Sequence, residues 1–164
     1  GTPKSYKLPE ATALVFPMTE PDMLIGAEES GNFWRISLAR SLASTGRSIG
    51  LSRSWSASGD GYVSADLVGA RKIIEFKDPQ VRDTLLVATA RGATQGLQAE
   101  RSFVEFKALK SAQGLAISRI ADDLNVAAAP DAVIISRRSG LTLSADRGGR
   151  SDVQISDHKM FRPL

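Results

Sequence analysis

Cysteine is absent from the 164 residues, which removes disulfides, thiolate catalysis and zinc-thiolate sites in one step. A single histidine, His158, is too little for a zinc site of the usual nitrogen and sulfur type. No apolar run approaches the roughly 20 residues needed to cross a bilayer, and no charged start followed by an apolar stretch marks a signal peptide, so no membrane insertion of this segment is expected. Phosphate-loop and dinucleotide fingerprints are missing, as is an Asn-x-Ser/Thr acceptor. Charge of one sign is scarce too. The 21 basic and 18 acidic residues leave +3, too mild to argue for nucleic acid by itself. A convincing amphipathic helix is also lacking.

What is there is a globular composition, 42% hydrophobic and 24% charged, with short apolar runs spaced by turn residues. Residues 1–10 read as a lead-in segment and Ala13 to Met18 as the first element. Strands follow near Met23 to Ala27 and Phe33 to Ala39. In the latter Trp34, Ile36 and Leu38 alternate with Arg35 and Ser37. A helix from Ile36 to Thr45, ended by Gly46, is the competing reading. Gly59-Asp60-Gly61 signals a turn between a run at Ile49 to Trp55 and another at Tyr62 to Leu67. Further strands are expected at Arg71 to Phe76, Thr84 to Thr89, Phe103 to Lys107, Gly114 to Ile120, Leu124 to Ala128, Ala132 to Ser136 and Leu141 to Ser144. Residues 91–100 read as a loop, or at most one helical turn, and 146–164 as an exit linker. The expected fold is all-β, an antiparallel β-sandwich or partly open barrel built from repeated strand pairs. Its span is 11–145, as one unit or as two similar lobes, about 11–70 and 71–145. Gly1-Thr2-Pro3 and the abrupt Arg162-Pro163-Leu164 end suggest a domain cut from a longer protein.

The repeat is legible at an offset of 30 residues, where Ile74-Glu75-Phe76-Lys77 returns as Val104-Glu105-Phe106-Lys107. Each Phe-Lys pair is followed, after a connection, by an apolar run, Leu85-Leu86-Val87 and then Leu115-Ala116-Ile117. A looser copy opens the chain at Leu14-Val15-Phe16 and Leu24-Ile25. A hairpin cannot bury its apolar face alone, so the pairs should pack as neighbours. The expected core is Leu14, Phe16, Ile74, Phe76, Val104, Phe106, Leu115, Ile117, Val133 and Ile135. Alternation places Glu75 and Glu105 on a wet face.

Candidate chemistry is sparse. Gly46-Arg47-Ser48-Ile49-Gly50 matches Gly-x-Ser-x-Gly with His158 downstream, but a nucleophile elbow needs a helix after the serine, and here a Ser/Gly-rich strand and turn follow. Ser156-Asp157-His158-Lys159 fits Ser-x-x-Lys in a terminal segment. Glu75 and Glu105 form a conceivable carboxylate pair for glycoside hydrolysis. Trp34, Trp55, Tyr62, Phe33 and Phe103 are either core aromatics or a stacking platform for sugars or bases. From Arg137 onward the chain carries Arg137, Arg138, Arg147, Arg150, Lys159 and Arg162 against Asp146, Asp152 and Asp157. That excess is a solvated tail or an interaction surface made by Arg137, Arg138, Arg147 and Arg150. No catalytic, cofactor-binding or metal-ligating residue is assigned.

The stretch from Phe103 to Ser144 carries Phe103-Val104-Glu105-Phe106, Ala112-Gln113-Gly114-Leu115, Asp122-Asp123-Leu124 and Gly140-Leu141-Thr142-Leu143-Ser144. With Asp78-Pro79 to Val87, it resembles the β-rich N-terminal region of large alphaproteobacterial envelope proteins that carry tetratricopeptide repeats further along. The pattern of Leu14-Val15-Phe16 and Phe33-Trp34-Arg35-Ile36 is similar to the start of AMIN-type β-domains, sandwiches that localise envelope proteins, often on peptidoglycan. These resemblances imply a periplasmic, non-enzymatic module, with an envelope protein or peptidoglycan as partner. Hydrolysis of an envelope polysaccharide or ester, through Ser48 or the carboxylate pair, is the alternative. Nucleic-acid binding by the Arg-rich end is a third.

Overall fold

The computed structural model describes residues 1–42, 46–78 and 82–144, and these contain fifteen strands and no helix. In chain order, β1 (Lys4–Lys7) and β2 (Thr12–Val15) form a hairpin, and β3 (Leu24–Ser30) and β4 (Phe33–Ala39) form another. The short β5 (Arg47–Ser48) follows, and then β6 (Leu51–Trp55), β7 (Gly61–Asp66), β8 (Ala70–Lys77) and β9 (Thr84–Ala90). After the brief β10 (Gln95–Gly96) and β11 (Arg101–Ser102) come β12 (Phe106–Leu109), β13 (Leu115–Arg119), β14 (Asn125–Ala129) and β15 (Ala132–Ser136). The segment expected to be a lead-in therefore holds a strand. Leu141 to Ser144, expected as a strand, is not one, although the Leu141 N–H donates to the Gly61 carbonyl at 2.8 Å.

Two sheets make an all-β, sandwich-like fold, and among the described residues no sheet closes into a barrel. One is five-stranded in the order β11-β12-β13-β9-β8 and the other four-stranded in the order β14-β15-β7-β6, antiparallel throughout. The four-stranded sheet takes β6 and β7 from before residue 70 and β14 and β15 from after it, so the two expected halves share one sheet. Between the layers lie Val63, Ala65 and Leu67 from the β7 region, Leu86 and Ala88 from β9, Phe106 and Ala108 from β12, Leu115 and Ile117 from β13, and Val133 and Ile135 from β15. Burying each larger side chain of this set contributes about 1.5–3 kcal/mol relative to exposure.

The echoed hairpins β8–β9 and β12–β13 do lie side by side, with β9 against β13. Their residues are not equivalent. The register runs Glu75, Leu86, Ile117, Ala108 across four strands. Directly paired side chains share a face, so Glu75 lies on the inner face, at its rim. Phe76 lies on the outer face, beneath Tyr6 of the first hairpin at 5.4 Å between ring centres. Phe106 lies inside, because Val104 and Glu105 form the turn that joins β11 to β12, with the Phe103 N–H donating to the Phe106 carbonyl at 2.9 Å. Val104, expected in the core, is 64% exposed, and Leu14 is 51% exposed. The looser first copy is not a hairpin, since β2 pairs with β1 and β3 with β4.

Candidate functional site

β14 lies against β8 and closes one flank of the sandwich. At the other flank the outer strands of the two sheets, β6 and β11, border a cleft of about 760 Å³. The register sets what faces it. Leu51, Arg53 and Trp55 stand opposite Ala65, Val63 and Gly61, and Arg101 stands opposite Ala108. Those partners point into the core, so the edge residues point inward too. No facing strand covers them fully: Trp55 is 44% exposed and Arg53 is exposed. Buried Val63 and Leu97 also line the cleft, and Phe103 lines it while stacking on Phe106 at 4.4 Å. The Arg53 guanidinium carbon lies 5.9 Å from the Phe103 ring centre, a cation–π distance.

Electrostatics there have one sign. Arg53 and Arg101 line the cleft with no Asp or Glu, and neither joins an ion pair among the described residues. Two guanidinium groups beside an indole and a phenyl ring can hold a carboxylate whose apolar or sugar portion lies on the rings. A second, more open depression of about 450 Å³ is lined by Ser56, Ser58, Asp60, Tyr62, Ile134 and Arg137, among others. Its charged groups are engaged: the Ser58 hydroxyl donates to Asp60 at 2.8 Å, and Arg137 holds Asp123.

The anticipated sites disperse. Ser48 lies in β5 and lines the cleft, but strand follows strand there, so the elbow geometry is missing. His158, Ser156 and Lys159 lie outside the described residues. Glu75 and Glu105 do not meet. The Glu75 carboxylate faces Arg119 at 3.4 Å on the β8 side, and Glu105 lies in the turn before β12, with two strands between. Each carboxylate is held by its own partners, Arg119 for Glu75 and Thr142 with Arg137 for Glu105. Nor does Glu105 face solvent: it is 1% exposed, and Oε1 accepts the Thr142 N–H at 2.8 Å and lies 3.7 Å from Arg137. Oε2 is buried with no hydrogen-bond partner among the described residues. Burial pushes the carboxyl up, but the hydrogen bonds from Thr142 and the charge of Arg137 outweigh it and hold it below its ordinary value.

Arg137 is thus engaged by carboxylates of the protein itself. Its Nε and Nη2 bridge the two Asp123 oxygens at 3.1 and 3.0 Å. Arg138, in the following turn, is exposed, and Arg147 and Arg150 lie outside the described residues. The aromatic set also divides. Phe33 and Trp34 sit exposed on β4, Tyr62 lines the outer depression, and only Trp55 and Phe103 share a site. Arg53 and Arg101 were not anticipated. The available signal was the alternation Leu51, Arg53, Trp55, a cation between two apolar residues on one strand face. No protein-family model, curated protein or solved structure matches the chain.

Proposed function

We propose that this chain is a non-enzymatic binding module of a larger, periplasmic Gram-negative envelope protein, and that it holds peptidoglycan or an envelope protein in the cleft between β6 and β11. The carrying observation is the inward-facing Arg53 and Arg101 beside exposed Trp55 and half-buried Phe103, with no acid in the lining. Solvated aromatic surface next to cations favours a ligand that offers an apolar or sugar face and a carboxylate. Peptidoglycan carries both, and so do acidic protein segments. The resemblance of residues 71–144 to alphaproteobacterial envelope proteins supports the compartment. No chemical step, metal or cofactor enters this mechanism. Covering Trp55 contributes on the order of 2 kcal/mol, and each charge-assisted hydrogen bond about 1.5–3 kcal/mol, against an association cost of several kcal/mol.

Co-sedimentation with isolated peptidoglycan sacculi across a salt series tests the reading. The wild type is expected to bind saturably and more weakly as salt rises. Arg53→Ala/Arg101→Ala should abolish the binding, while Arg138→Ala should keep it. Wild-type sedimentation of the double variant would overturn the assignment of the cleft, and no sedimentation at low salt would remove peptidoglycan and leave the protein partner.

A further inference from the structure

The edge of β6 adds a second kind of recognition to the same cleft. The Asp66 N–H donates to the Gly50 carbonyl, and the Ser56 N–H to the Asp60 carbonyl, both at 2.9 Å. In an antiparallel ladder the bonded positions alternate, so Gly50, Ser52, Ser54 and Ser56 turn their backbone groups toward β7. Leu51, Arg53 and Trp55 must therefore turn theirs the other way. On that side no strand pairs with β6 among the described residues. The three residues whose side chains line the cleft also offer three backbone donors and three acceptors along its rim.

We infer that β6 takes an extended acidic polypeptide segment as an added antiparallel strand, its acid seated at Arg53 and Arg101 and its apolar side chains beside Leu51 and Trp55. The inference rests on the binding role proposed above and names the partner class. The chemistry of the edge selects the occupant. A segment paired with all three free positions places three of its own side chains on the inner face, opposite Leu51, Arg53 and Trp55. Opposite-charge and apolar pairs stabilise such contacts, so the favoured pattern is an apolar residue, an acid two further on, and an apolar residue two beyond that. A second copy of β6 is disfavoured, because antiparallel pairing of all three positions sets Arg53 against Arg53. An inward-facing charge of this kind protects an exposed edge from indiscriminate pairing.

The test titrates the full chain carrying Trp34→Phe, in which Trp55 is the sole indole, with a capped seven-residue peptide. In it threonine alternates with valine, glutamate and valine. Saturable binding with a shift in Trp55 emission is expected. N-methylation of the valines and the glutamate removes the donors that face β6 and should weaken binding by about tenfold or more, since three backbone hydrogen bonds are lost at once. N-methylation of the threonines should leave binding within about twofold, because their N–H groups face away from β6. Equal affinity for all three peptides would overturn strand addition and leave a cleft that reads side chains alone. No peptide binding, with sacculi still held through Arg53 and Arg101, would also overturn the inference while the binding role stands. Failure of both peptide and sacculi would remove both.

Discussion

Truncating Glu105 to alanine would leave the Thr142 N–H without its acceptor and Arg137 without one of its two carboxylates. A loss of about 2–3 kcal/mol is expected in urea unfolding, as for other buried hydrogen bonds to charge. The pH dependence has a definite sign. A carboxyl held below its ordinary value in the folded state contributes stability that is fully present above the unfolded value of 4.5, and loses it as the pH falls below that value through the folded one. Glu105→Gln should therefore flatten the acid limb of the stability profile below pH 4.5, and an unchanged limb would show that the network does not drive it. None of this was legible beforehand. Glu105 reads as a surface residue in an alternating strand, and only the turn at Val104-Glu105 with the return of Thr142 makes it an internal ligand for Arg137.

Among the elements, the echoed hairpins show how far a repeat can be trusted. Pairing carries Phe76 opposite Leu85 but Phe106 opposite Arg119, four residues beyond Leu115. Side chains alternate with period two, so an intervening turn or a shift of one residue moves every following side chain to the other face. Phe106→Ala is accordingly expected to cost about 3–5 kcal/mol in thermal or urea unfolding, as for a large buried aromatic. Val104→Ala, its neighbour within the same echoed motif, should stay within about 0.5 kcal/mol of wild type. Equal losses would mean that the turn is placed wrongly. The strand positions themselves were well announced: Phe33 to Ala39 and Ala132 to Ser136 match their expected bounds, because alternation and flanking turn residues fix them locally.

For the whole molecule, both sheets share one core and the four-stranded sheet draws strands from both halves of the chain, so the sandwich should unfold as a unit. In the Trp34→Phe variant, far-UV circular dichroism should show strand without helix, and Trp55 fluorescence should give the same urea midpoint. Separate midpoints would mean that the β6 flank opens independently. Local sequence determined the all-β class, most of the strands and the adjacency of the repeated pairs, because period-two alternation and Gly, Asp and Asn turns act over a few residues. Only the tertiary structure decided which side of each strand is inner, why Arg137 is engaged while Arg53 and Arg101 stand beside a cleft, and where an edge is left open. Those outcomes depend on register between segments distant in the chain and on which flank of the sandwich β14 closes, and no local pattern encodes either.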